Sequence, residues 1–390
     1  MNIYLKIASV LLLGAFGGKV ARKFNLPSVT GYLIGGIFLG PSVLNVVTSQ
    51  DSSIISFVNE FTLSAIAFNI GGEFLISTIK KLGKEIFIIT VFEVLGAVSI
   101  VFGMMYFIFN QDFVFSIMVA SMAAATAPAG TMMVIRQYRA RGKMSDTILP
   151  VAALDDALGI MVFGLALSLA KATLGLVDGS IVFQVMSPFI EIFASLFVGG
   201  ILGLILSKIT QKVSTSEEQL FILLVFILMC AGLAPLLSLS SLLTAMMMGA
   251  VYINVSSQAV RAFTTINNFM TPFNVLFFAF AGTSINFGIL GQIGLLGLGY
   301  VTARLVGKVF GTTLGAIVAK SDPVVKKYLG WALLPQGGIS IGLSLVVSQQ
   351  LPQFSEAIVT LILFSVLVFE IAGPILAKVA ITRAGEIPNS

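Results

Sequence analysis

The sequence predicts an all-α polytopic membrane protein of about 13 transmembrane helices, folded as an inverted-topology repeat with two interrupted crossing helices, N-out and C-in. Three observations carry that prediction. Of 390 residues 57% are hydrophobic and only 10% are charged, against about 45–50% and about 25% in soluble domains. The mean hydropathy of +1.04 agrees, so most of the surface must face lipid. Apolar stretches of helix-spanning length recur along the whole chain, and Lys and Arg gather in alternate connections between them.

A helix needs about 20 residues to cross the hydrocarbon core. Divided at its polar breaks, the chain offers spans at 3–22, 29–47, 58–76, 85–109, 113–138, 145–170, 186–209, 219–236, 239–254, 269–286, 291–319, 326–347 and 355–380. The odd-numbered connections and the C-terminal tail, with the span ends that border them, hold 17 of the 22 basic residues, Arg22, Lys84, Arg139, Lys143, Lys212, Arg261 and Lys327 among them, and the even-numbered ones hold only Lys171. Basic loops stay in the cytoplasm, which places the N-terminus outside and the C-terminus inside. The N-terminus has neither a basic leader nor a small-residue cleavage site, so its first apolar run is expected as a retained span.

The missing residue types exclude much chemistry. With no His and one Cys, Cys230, the chain has no imidazole metal site, no Ser-His-Asp triad, no disulfide framework and no His proton switch. Proton chemistry falls to carboxylates and Lys. The net charge of +5 is accounted for by cytoplasmic loops, so no nucleic acid is expected. No phosphate-binding loop appears, so neither a nucleotide nor any other cofactor is expected.

Shifting spans 2–6 by 207 positions lays them on spans 9–13, seven spans later and so in opposite orientation, the construction of many secondary transporters. Within that shift Pro128 falls on Pro335 and Gly130 on Gly337. Thr126-Ala127-Pro128-Ala129-Gly130 and Pro335-Gln336-Gly337-Gly338 each lie near the middle of a span, and Pro with Gly should interrupt both helices there. Freed backbone at that depth is tolerated only where protein or a water-filled cavity satisfies it. A packing kink is the plain alternative for either motif alone.

Span 6 carries Asp155 and Asp156 side by side near its centre. Each would cost about 2.5–3.5 kcal/mol there without compensation. Neighbouring helical residues point about 100° apart, so one can face a neighbouring helix and the other the ion path. The obvious partner is Lys308 on span 11, about 16 Å from the cytoplasmic end at 1.5 Å per residue and too deep to snorkel. Arg304, one turn away, either joins the cluster or is satisfied separately. A bridge that merely locks helices is the alternative, but the second Asp is surplus to it. Glu73, Glu93, Glu191 and Glu370, taken singly, are expected in structural pairs or near the interface.

These residues resemble the electrogenic branch of the monovalent cation/proton antiporters, with their paired Asp on one core helix and Lys on its symmetry-related neighbour. Gly307-Lys308, Gly72-Glu73 with its following basic loop, and Leu26-Pro27 to Gly40-Pro41 extend the likeness over nearly the whole chain. The resemblance implies exchange of a monovalent cation (Na+, Li+ or K+) for H+, with Asp156 as main cation ligand and proton acceptor and Asp155 paired to Lys308. Thr126 matches a polar position at the first crossing, and Gln336 and Arg304 are additional ion-path candidates. It further implies a mobile core of 85–170 and 291–380, a scaffold of 1–76 and 186–286 through which two subunits form a homodimer, and residence in a prokaryotic cell membrane. Two departures bear on ion selectivity: position 127 is Ala where relatives carry a polar or acidic residue, and Gln336-Gly337-Gly338 replaces an Arg-Gly-Glu-like stretch. If Lys308 gives up its proton as the cation enters, more than one proton moves per cation. The rival readings are a K+/H+ exchanger or K+ efflux protein, a sodium-coupled organic solute symporter and a passive channel.

Overall fold

The computed structural model describes residues 2–387 except Asn25, Ser42, 49–51, 128–130, Met133, 136–137, 177–180, Ser214 and 285–286, with the side chains of 52, 78–82, 181–188 and 287–293 also outside the description. Among the described residues there are fourteen α-helices. They are α1 (Ile3–Lys23), α2 (Ser28–Leu39), α3 (Ser52–Gly71), α4 (Ile76–Gly103), α5 (Phe113–Ser121), α6 (Lys143–Thr173) and α7 (Ile181–Thr210). The remainder are α8 (Ser216–Leu236), α9 (Ser241–Val255), α10 (Ala259–Thr283), α11 (Phe287–Val318), α12 (Pro323–Ala332), α13 (Gly338–Gln350) and α14 (Pro352–Arg383).

Among the described residues eight helices are long and apolar enough to cross a membrane, and α2 and α9 are shorter apolar helices. Polar side chains start several of them by accepting from first-turn amides: Asp112 from Val114 N at 2.7 Å, Thr215 from Glu218 N at 3.2 Å, and Asp322 from Val324 N at 3.0 Å. That amide, helped by Lys143, holds the Asp322 carboxyl below the usual carboxylate range.

Three expected spans differ from the observed helices, each for a backbone reason. Segment 29–47 is helical only to Leu39. Pro41 disfavours helical geometry at Gly40, and the chain turns so that the amides of Val46 and Val47 return to Leu39 O at 3.0 Å. Segment 113–138 is helical to Ser121 and again at Thr131, Met132, Val134, Ile135 and Tyr138, and segment 326–347 divides into α12 and α13 with 333–337 unwound between them. Pro128 and Gly130, expected to break the first of these, lie outside the described residues. Pro335 and Gly337 sit in the second break, and Gly338 opens α13. Near the start of α4, Gly83 takes φ 75° and divides the helix, so its membrane-length part is Gly83–Ile108, closing in a π-turn at Met104–Ile108.

By packing, the chain forms two units. One holds Met1–Asp51, Leu82–Gly159 and Phe278–Ser390; the other holds Ser52–Lys81 and Ile160–Phe277. The first therefore takes in the N-terminal segment, which the sequence reading grouped with 186–286. In this unit α14 lies against α11, α12 and α13. One end of it is closed by a cluster of Ile86, Ile89, Met144, Ile148, Leu329 and Ile381. The carboxylate of Glu386 caps the start of α6 there, accepting from Met144 N and Ser145 N at 2.8 Å and from Ser145 Oγ at 2.6 Å. In the second unit α9 packs on α7, α3 and α8, close enough that a Cβ on Gly249 would lie 2.0 Å from Phe68 O. On α7, Phe189, Phe193, Phe197, Ile201 and Ile205 form an exposed apolar row, the pattern of a lipid-facing helix.

Candidate functional site: a buried charge cluster at two helix breaks

The site begins with carbonyls. Where α5 stops, the oxygens of residues 122–125 lose their helical donors, and buried at that depth each needs another. All four find one in side chains of the same unit. Gln336 Nε2 and Ser340 Oγ donate to Met122 O at 3.4 and 3.2 Å, and Arg304 Nε donates to Ala123 O at 3.0 Å. Lys308 Nζ donates to Ala124 O at 2.5 Å, and Arg304 Nη2 donates to Ala125 O at 2.9 Å. Arg304 Nη1 reaches the other break as well, at Leu334 O, 2.6 Å. Two cations thus meet the negative ends of broken helices, the favourable sense of the helix dipole. The breaks also join directly: Ala127 N donates to Pro335 O at 2.9 Å, Thr126 Oγ1 to Leu333 O at 3.3 Å, and Thr131 Oγ1 to Ala332 O at 2.7 Å.

Thr126, the last polar residue of the first break, ties it to the Asp pair on α6. Its hydroxyl donates to Asp155 Oδ2 and its amide to Asp156 Oδ1 at 3.2 Å. Asp155 also meets Lys308, and one Thr meets both acids. Asp155 is 0% exposed and Asp156 7%, so both are buried and Asp156 is the less completely enclosed.

Lys308 is 0% exposed as well, and its ammonium completes the cluster. Besides Ala124 O it donates to Thr126 Oγ1 at 2.5 Å and to Asp155 Oδ2 at 3.3 Å. A third carboxylate stands nearer than Asp155: Glu93 Oε1 on α4 lies 2.6 Å from Lys308 Nζ, and Glu93 is also 0% exposed. Glu93 Oε2 and Asp155 Oδ1 have no hydrogen-bond partner among the described residues. Two buried carboxylates facing one ammonium can hold a proton or a cation, since an uncompensated buried charge is costly.

Packing of α4 on α11 puts Glu93 there. Gly307, Gly311 and Gly315 fall at four-residue intervals, one face of a helix. A Cβ at Gly311 would lie 2.4 Å from Phe92 O and 3.0 Å from Glu93 Cα. Gly311→Ala must therefore push α4 away from α11. It should lower stability by about 1–3 kcal/mol and slow transport in parallel, read by thermal unfolding in detergent and by uptake in vesicles.

The remaining candidates sit differently. Arg304 makes no ion pair among the described residues: its guanidinium is engaged by three carbonyls and lies 4.5 Å from the Phe369 ring. Gln336 belongs to a polar net with Tyr300 OH at 3.0 Å, Ser340 Oγ at 2.9 Å and Ser365 Oγ at 2.8 Å, away from the Asp pair. Glu370 accepts from Thr30 Oγ1 at 3.2 Å and Glu191 from Ser168 Oγ at 2.9 Å, while Glu73 is exposed. Sequence reasoning grouped Glu93 with these three. The Gly row beside Lys308 was the signal that an acid on a closely packed neighbour could reach it.

Comparison with known proteins follows this geometry. The sodium/hydrogen exchanger transmembrane family model matches residues 7–380. The high-affinity Na+/H+ antiporter NhaS3 of Synechocystis sp. is 22% identical, over 87% of this chain and 81% of that protein. The Na+/H+ antiporter of Enterococcus hirae is 23% identical over 95% of both. The K+/H+ antiporter subunit KhtU of Bacillus subtilis is 22% identical, over 97% of this chain and 93% of that one. Among solved structures, the sodium proton antiporter MjNhaP1 of Methanocaldococcus jannaschii at pH 8 superposes with a TM-score of 0.81 at 19% identity, covering 98% of this chain and 99% of that one. The chain belongs to the transmembrane sodium/hydrogen exchanger family.

Proposed function

We propose that this protein is a secondary active antiporter exchanging a monovalent cation, Na+ and also Li+, for protons, with net charge movement in each cycle. The observation that carries the reading is the Asp155–Asp156–Lys308 cluster tied by Thr126 to both helix breaks. Asp156, the less completely enclosed of the pair, takes either a proton or the cation, and the cost of an empty buried charge keeps the site from crossing the membrane unloaded. The cation also draws on Asp155, loosening its bond to Lys308. One proton leaves Asp156 and a second leaves the buried cluster around Lys308, so more than one proton moves per cation.

Around that site we place 13 spans in an inverted repeat, N-out and C-in, with 85–170 and 291–380 moving against 1–76 and 186–286 in a homodimer of the prokaryotic cell membrane. The 207-residue spacing supports the repeat, since Thr126 bonds to its counterpart Leu333. Potassium is the second reading, favoured by the match to a K+/H+ antiporter subunit along 97% of the chain. Adding Na+, Li+ and K+ in turn to vesicles carrying a pH dye separates these. The proposal requires proton movement with Na+, and a response confined to K+ selects the alternative.

A further inference from the structure

The ammonium of Lys308 is oversubscribed. It has three N–H donors, directed at Ala124 O, Thr126 Oγ1 and Asp155 Oδ2, of which Asp155 at 3.3 Å is the longest. Glu93 Oε1 stands closer, at 2.6 Å, so four acceptors compete for three donors. A small reorientation of the ammonium redirects a donor from Asp155 to Glu93 without moving either helix. Charge counting points the same way. Glu93, Asp155 and Asp156 bring three negative charges against the two positive charges of Lys308 and Arg304, and all five side chains are buried. One negative charge remains, and it must be cancelled by a proton or a cation.

We propose that Glu93 is the second proton carrier of the exchange and that Lys308 stays an ammonium throughout. This rests on the antiport reading above and identifies the group that gives up its second proton. In the proton-loaded site Asp156 and Glu93 are protonated and Lys308 pairs with Asp155. When the cation binds between Asp155 and Asp156, Lys308 turns to Glu93, and the O–H bonds of Asp156 and Glu93 break. Two protons leave and one cation enters. The charged groups facing Glu93 are Lys308 and Arg304 on α11 and Asp155 on α6.

The test is coupling stoichiometry, taken from the membrane potential at which sodium-driven flux reverses in proteoliposomes of the full chain. Wild-type exchange, and its loss in Asp156→Asn, test the antiport reading by themselves. Glu93→Gln should keep sodium-driven exchange while its coupling falls from two protons per cation to one, making it insensitive to potential. Glu93→Asp should restore two, with a shifted pH profile. A Glu93→Gln protein still moving two protons per cation overturns the proposal and leaves the second proton with Lys308. A purely structural Glu93 would lower the maximal rate and leave the stoichiometry unchanged. If the Gln variant does not fold, Glu93→Asp decides: a pH profile superposing on wild type contradicts a proton carried at this position.

Discussion

Sodium-driven proton movement is lost in Asp156→Asn, because an amide can neither take up a proton nor balance the charge of a cation entering a buried site. Asn is nearly isosteric, and its carbonyl oxygen can still accept from Thr126 N, the 3.2 Å bond that ties α6 to the first break. The fold should therefore survive, and thermal unfolding should stay close to wild type. What disappears is the negative charge on the less enclosed member of the Asp pair. With a neutral amide there, no proton can be taken up and an entering cation meets no balancing charge. Dye-reported exchange at saturating sodium measures the loss, and wild-type rates in this variant would refute the assignment of Asp156.

Lys308→Gln acts differently. It strips the ammonium from two fully buried carboxylates, Glu93 and Asp155, and leaves the carbonyl of Ala124 with a weaker donor. Left charged, the acids would destabilise the fold by about 3–5 kcal/mol, so they hold protons and stop exchanging them. Asp156 alone continues to trade a proton for a cation, and the remaining activity is electroneutral. The expected result is a lower melting temperature together with slower exchange indifferent to an imposed potential. Potential-driven exchange at the wild-type rate in this variant would contradict the role given to Lys308.

The amount of the fold legible in the sequence follows from how much physics is local. Hydropathy marks the long helices because lipid demands an unbroken apolar run, and the breaks α8–α9 and α12–α13 fall where Pro235 and Ser238, and Pro335 and Gly337, punctuate the chain. How far a break unwinds is not local. The helix α5 ends at Ser121, well before Pro128, because Arg304, Lys308, Gln336 and Ser340, some 180–220 positions further on, supply donors to the carbonyls of 122–125. Segment 29–47 reads as one apolar run although Gly40-Pro41 turns it.

The same distinction governs the site. Asp155, Asp156 and Lys308 stand out because a charge in an apolar run is costly and needs a partner, and the structure sets Lys308 Nζ 3.3 Å from Asp155. Glu93 has the same cost but no local mark of its partner. Its place depends on the close approach of α4 to the Gly row of α11, and that pairing of helices is written in no single segment. Arg304 was ambiguous for the opposite reason. Its charge suggests an acid, whereas three backbone oxygens of the helix breaks satisfy it.

The most direct measurement of the central claim is sodium-induced dequenching of a pH dye in proteoliposomes, run with and without a clamped membrane potential. Exchange of more than one proton per cation at the Asp155–Asp156 cluster predicts that sodium moves protons, that the movement builds a potential when unclamped, and that an imposed potential changes its rate. Proton movement that neither generates a potential nor responds to one would contradict it.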